Sequence, residues 1–206
     1  NFDETATSKL EDTVFCNDRS TKAYDANTIG DNYCSSYGAL GYGINSTFYG
    51  PAHRSSYYAK NLNPSLVCIQ NNDKFTVESK NGNGNLTYPV GLITSDEAVF
   101  AGLNTAISLY GKFYYDYDSS TYENKNNYLY TSITYWTMSP TLVDKNGLAS
   151  MVSISNTGTL FGDGVFSKTW EDGTITWNNG VRPVVSLANG TLVNSNGDGT
   201  STNPYV

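Results

Sequence analysis

From residue 133 onward the chain alternates short apolar runs with brief turns, and this leaves antiparallel β-structure as the organisation of that half. "LASMVSI" and "TLFGDGVF" flank the turn "SNTG", which is a hairpin signature. "WEDGTITW" turns at Asp172-Gly173 and "WNNGVRPVVSL" at Asn179-Gly180. "TYWTMSP" alternates as well, an expectation that sends Trp136 and Met138 inward.

One helix is written into the first half. In "LTYPVGLITSDEAVFAG" a strand at 90–93 leads into Thr94-x-x-Glu97, the spacing of a capping box, and Gly102 stands where a helix C-cap glycine belongs. The spacing predicts a helix at about 95–101, and no second helix has comparable support. "PSLVCIQ" reads as a short strand, and "DKFTVES" as a half-buried one with Phe75 and Val77 inward. Residues 20–50, rich in Gly, Asn and Ser, and residues 103–132, crowded with tyrosine, read as long irregular loops. The expected fold is therefore α+β: mainly short antiparallel strands, one short helix and long loops, in a single domain over 1–206. Asn1 in place of a methionine reads as the start of a mature or trimmed fragment.

Only 15% of residues are charged and the formal net charge is -7. Neutralising phosphates takes clustered Lys and Arg, whereas the basic residues here are scattered singly, so nucleic acid is rejected as a partner. No apolar run is long enough to span a membrane. A polar but sparsely charged surface suits a secreted or cell-surface protein. Cys16, Cys34 and Cys68 show no metal spacing. The favoured reading is one disulfide and a leftover thiol, with three pairings open. A Cys16–Cys68 bridge would pin the first long loop.

"FCNDRS", "DKFTV", "YPVGLITSDE", "YWTMSP", "GVRPVVSL" and "GDGTSTNPY" follow one another in this order. As a set they resemble a bacterial domain family of undefined function, found in secreted and surface proteins, often behind a pilin-like N-terminal helix. That family resembles the C-type-lectin-like fold, as do the formylglycine-generating-enzyme relatives, which also end on a Gly-x-Arg strand. The resemblance covers about residue 11 to the C-terminus, implies fold and location, and brings no catalytic residues with it. It supports pairing Cys16 with Cys68, since both fall in family-like motifs, which leaves Cys34 as an unbridged thiol or available for intermolecular pairing. In "GVRPVVSL", Val181, Pro183, Val185 and Leu187 line one face and Arg182 points to the other. An Arg held inside such a fold needs a fixed carboxylate. The expectation is a structural ion pair between Arg182 and Asp96 or Glu97.

Catalysis finds little support. His53 is the only histidine, there is no G-x-S-x-G elbow, and a local hydrogen bond accounts for a loop histidine. The formylglycine chemistry uses a late cysteine pair, but all three cysteines here come early. Asp116, Asp118 and Glu123 lie among tyrosines and read as solvated, not as a glycosidase pair. For calcium, Asn194, Asn196 and Asp198 space oxygens like the start of an EF-hand loop, but the twelfth position is Tyr205, so no cofactor is expected. "WNN" at 177–179 lacks the acid of a lectin calcium motif. The sequons at Asn45, Asn85 and Asn189 are assigned no role.

The expected function is a non-enzymatic surface module that binds a glycan or protein through Tyr110, Tyr114, Tyr115, Tyr117, Tyr122 and Tyr128. Tyrosine gives rigid amphipathic contact area, and Asn and Ser give adaptable hydrogen bonds. The alternative is a structural subunit that pairs with copies of itself in an extracellular filament, pilus-like fibre or surface layer.

Overall fold

A computed structural model describes residues 9–30, 32–55, 59–103, 125–166 and 179–191. Among these residues the elements are those of an α+β fold, and every pairing between the strands named below is antiparallel. The main sheet has four strands in the order β2 (Thr47–Phe48), β5 (Tyr135–Val143), β6 (Ala149–Ile154) and β7 (Leu160–Phe166). Two small ribbons accompany it: β1 (Phe15–Cys16) with β3 (Lys74–Phe75), and β4 (Gly91–Leu92) with β8 (Pro183–Val184). The expected hairpin is present, with Ile154 opposite Leu160 across the Ser155–Gly158 turn.

Two apolar clusters flank the main sheet. One gathers Ile29, Cys34, Tyr37, Phe48, Ala52 and Leu142, with Phe161 against it. The other includes Ile93, Leu103, Leu129, Tyr135, Val152, Ile154 and Leu160. Leu160 and Phe161 are consecutive in one strand and so point to opposite faces, which puts the sheet between the clusters. Cys34 is fully buried in the first cluster and lies outside the disulfide. Of the two fates expected for it, burial excludes intermolecular pairing in the folded chain and leaves the unbridged thiol.

On β5 the inward residues are Tyr135, Thr137 and Ser139, not Trp136 and Met138. The polar pair can be buried because each hydroxyl finds a partner: Thr137 Oγ1 donates to the Val152 carbonyl at 2.7 Å, and Ser139 Oγ accepts from the Ser95 amide at 2.9 Å. Pro140 sits in the middle strand at a register shift, where a missing N–H costs no ladder bond.

Helix α2 (Ser95–Phe100) matches the expectation in chemistry as well as position. The Glu97 amide donates to Thr94 Oγ1 at 3.1 Å, and the Thr94 amide donates to Glu97 Oε2 at 2.8 Å. At the other end Gly102 takes φ +88°, the Leu103 amide donates to the Ala98 carbonyl and the Gly102 amide to Val99. That is a Schellman stop, and Leu103 is carried by it into the core. A second helix, α1 (Gly50–Ser55), was not expected. It has no side-chain cap signature and opens on Gly-Pro, which reads locally as a turn. Packing against β5 and α2 is what holds it.

"PSLVCIQ" is not a strand: residues 62–70 form a strap without ladder partners. "DKFTVES" keeps strand structure only at Lys74–Phe75. Gly91 is fixed by close approach, because a Cβ there would meet Phe15 Cδ1 at 2.3 Å.

The closing segment alternates as expected, and Arg182 lies on its inward face. Val181, Pro183, Val185 and Leu187 are exposed, while Arg182 and Val184 are half-buried. Val184 packs on the second cluster and Arg182 lies over the Tyr135 ring, 5.6 Å from its centroid. The segment also ties in the N-terminal side of the chain through a Leu10–Leu187 bridge. Among the described residues no helix is long and apolar enough to cross a membrane.

Candidate functional site

The expected ion pair of Arg182 with Asp96 or Glu97 is absent. Arg182 instead donates to the backbone carbonyls of Leu129 at 3.1 Å and Tyr128 at 3.2 Å, and to the Tyr135 hydroxyl at 3.4 Å. Glu97 is occupied by its own helix cap. Asp96 is taken by Arg54, a residue that sequence reasoning passed over.

Arg54 ends α1 and Asp96 begins α2, and the packing of these two short helices brings them together. Arg54 Nε donates to Asp96 Oδ1 and Arg54 Nη2 to Asp96 Oδ2, both at 2.8 Å. The same Nη2 reaches Asp18 Oδ2 at 2.7 Å, just beyond β1. Burial opposes the Arg54 charge, but Asp96 and then Asp18 outweigh it and raise its pKa above the ordinary value. Asp96 Oδ1 also accepts the Ser65 amide at 2.8 Å, which fastens the 62–70 strap over the pair. The expected Cys16–Cys68 disulfide fastens the same strap to β1.

A cavity of about 340 Å³ opens beside this knot. Val14, Leu66, Val67 and the disulfide form its apolar lining, and Asp18, Arg54, Lys74, Asp96 and Glu97 its charged one. Beneath it runs a chain of hydroxyls: Ser55 Oγ lies 2.7 Å from Ser95 Oγ, and Ser139 Oγ accepts the Ser95 amide. These hydroxyls bond to one another and to backbone, with no imidazole among them. His53 points elsewhere, its Nε2 3.1 Å from Thr28 Oγ1 and its ring edge-on to Phe48. Among the described residues no group of three or more His, Cys, Asp or Glu could hold a metal ion. The arrangement can grip a side chain and hold a strap rigid; it does not set a nucleophile against a base.

A second feature is the tip of the first long loop. Leu40, Tyr42 and Ile44 are all exposed there. The Tyr42 ring is backed by the Arg19 guanidinium, 4.8 Å from its centroid, and Arg19 is itself held by Asp73. The Gly43 amide donates to the Tyr49 hydroxyl at 2.9 Å. Of the six tyrosines expected to bind, Tyr128 is exposed, and its carbonyl holds Arg182. Tyr110, Tyr114, Tyr115, Tyr117 and Tyr122 lie outside the described residues, as do Asp116, Asp118, Glu123 and the calcium candidates Asn194, Asn196 and Asp198.

Arg54 had a signal in the sequence. "GPAHRSS" places a lone Arg after a Gly-Pro helix start, in a chain whose "SDE" cap motif offers a fixed carboxylate. Compared with known proteins, the chain matches no family model, no curated protein and no solved structure.

Proposed function

We propose that this chain is a non-enzymatic, extracellular or cell-surface module of the C-type-lectin-like kind, binding a glycan or protein partner through its tyrosine- and asparagine-rich loops. The observation that carries the reading is the loop tip at residues 38–46. A rigid aromatic face, Tyr42, stands out at 70% exposure between Leu40 and Ile44, stiffened from behind by Arg19 and by the Gly43–Tyr49 bond. Exposed aromatic and aliphatic groups held in a fixed pose suit recognition, because little entropy is lost when they bind. The disulfide supports an oxidising location. A glycan array and a pull-down from the native surface test this, with Tyr42→Ser expected to abolish any signal without altering the unfolding midpoint. Signal unchanged by that substitution would remove the loop tip from the binding site.

A second reading, the subunit of a filament or surface layer, draws on the exposed apolar row Val181, Val185 and Leu187 along the closing segment. Electron microscopy decides between them: ordered polymers favour the subunit, a monodisperse monomer at high concentration the binding module.

A further inference from the structure

We propose that the 62–70 strap is a docking edge for an extended, basic peptide segment of a partner protein. The segment adds to the strap as a β-strand and sets a lysine or arginine into the cavity beside Asp18, Asp96 and Glu97. This surface shares no residue with the loop tip around Tyr42, so the two readings stand or fall separately.

Residues 62–70 run without turn, bend or bridge, and Gln70 is extended at φ -82°, ψ 129°. Leu66-Val67-Cys68-Ile69 has the composition of a strand, yet the amides of Leu66, Cys68 and Ile69 donate to nothing among the described residues. Leu66 and Cys68 are two residues apart in an extended run and turn their open amides to the same edge, which is the template for strand addition; the Ile69 amide faces the other edge, where Val67 already donates to Ser65 Oγ. The side chains agree: Leu66, Val67 and Ile69 are 65%, 65% and 75% exposed. Three such residues side by side need a partner more than scattered ones do.

The Ser65 amide is tied to Asp96 and Cys68 to Cys16, so the edge is ordered before anything docks. An incoming strand then avoids the cost of ordering the receptor.

Charge selects the occupant. Three carboxylates and two cations line the cavity: Arg54 offsets one of its two partners, Asp96 and Asp18, and Lys74 offsets a second carboxylate, which leaves one negative charge. The residual charge is negative, in a chain of net charge -7. A basic segment is attracted, whereas an acidic one, or a second copy of this acidic chain, meets like charge. The cavity, about 340 Å³, falls at the lower end of the range for binding pockets.

The test uses the oxidised protein and two labelled synthetic peptides of alternating valine and threonine, one with a central lysine and one with glutamate in its place. Fluorescence anisotropy should show the lysine peptide binding at least about tenfold more tightly. Amide exchange at Leu66 and Cys68 should slow in its presence, and that at Ile69, on the opposite edge, should not. Leu66→Pro removes an edge amide that donates to nothing among the described residues, so it should leave the thermal midpoint unchanged and weaken the peptide by at least about tenfold. Asp18→Asn should narrow the preference for lysine over glutamate. Equal affinity for the two peptides, no binding of either, or full binding by Leu66→Pro overturns the proposal. So does self-association of the protein that Leu66→Pro abolishes, which would give the edge to a second copy.

Discussion

Arg54 grips Asp96 through two parallel 2.8 Å hydrogen bonds, and the two residues stand 42 positions apart in the chain. The contact joins the end of one short helix to the start of another, and with Asp18 and Ser65 it draws β1 and the strap into the same knot. Arg54 is part-buried and Asp96 buried, so removing one partner leaves the other largely desolvated. Arg54→Ala should therefore destabilise by about 3–5 kcal/mol, a large share of a domain's stability. Arg54→Lys keeps a charge but not the planar fork, and should recover only part of the loss. Urea denaturation of the three proteins checks the order; an unchanged midpoint in Arg54→Ala would remove the knot from the fold's essential contacts.

Arg182 should behave differently. Its partners are two neutral carbonyls, a hydroxyl and the Tyr135 ring, and its side chain leaves no carboxylate behind when truncated. Arg182→Ala is expected to cost about 1–2 kcal/mol, from the lost hydrogen bonds and cation–π contact. A loss equal to that of Arg54→Ala would mean that Arg182 meets a charged group after all.

What was legible in the sequence is what local chemistry decides. Thr94 and Glu97 are three residues apart, and their reciprocal bonds need nothing else, so helix α2 could be read with its ends. The β6–β7 hairpin is likewise set by its own turn. Faces and partners were harder. Tyr135, Trp136 and Met138 put large side chains on both parities of β5, and buried hydroxyls at Thr137 and Ser139 decided which face went in. Those hydroxyls are acceptable inside only because Val152 and Ser95, far along the chain, complete them. The guanidinium partner of Asp96 was missed for the same reason. Arg54 and Arg182 are equally plausible by charge, and only the packing of α1 against α2 chooses.

The disulfide closes a loop across 52 residues. On the chain-entropy model a crosslink of that span stabilises by about 4 kcal/mol, by restricting the unfolded chain. Cys16→Ser with Cys68→Ser should lower stability by that order and speed amide exchange in the strap. Exchange in the β5–β6–β7 sheet should rise far less at mild denaturant, because its hydrogen bonds do not pass through the crosslink. Uniform loss of protection would mean that the strap and the sheet open as one unit.

His53 gives the stability a pH dependence that weakens the fold toward acid. Its ring is buried between Thr28 and Phe48, and burial lowers its pKa below the ordinary 6.5. The positive charge of Lys22 pushes the same way, Asp25 opposes, and Arg54 adds a smaller push down. Above 6.5 the imidazole is neutral in both folded and unfolded chains, and the protein has its full stability. As pH falls below that value the unfolded chain takes up the proton first, which favours unfolding. Stability should fall until pH reaches the lowered folded pKa, then level off in this group's contribution. The chain has one histidine, so a slope between about pH 5 and 8 belongs mainly to this residue. Unfolding free energies measured across that range should decline toward acid in the wild type. His53→Gln, which can keep a hydrogen bond to Thr28 but cannot titrate, should flatten the decline. A wild-type curve that is flat there, or that rises toward acid, would mean that the imidazole is solvated or paired with Asp25 and not held neutral by burial.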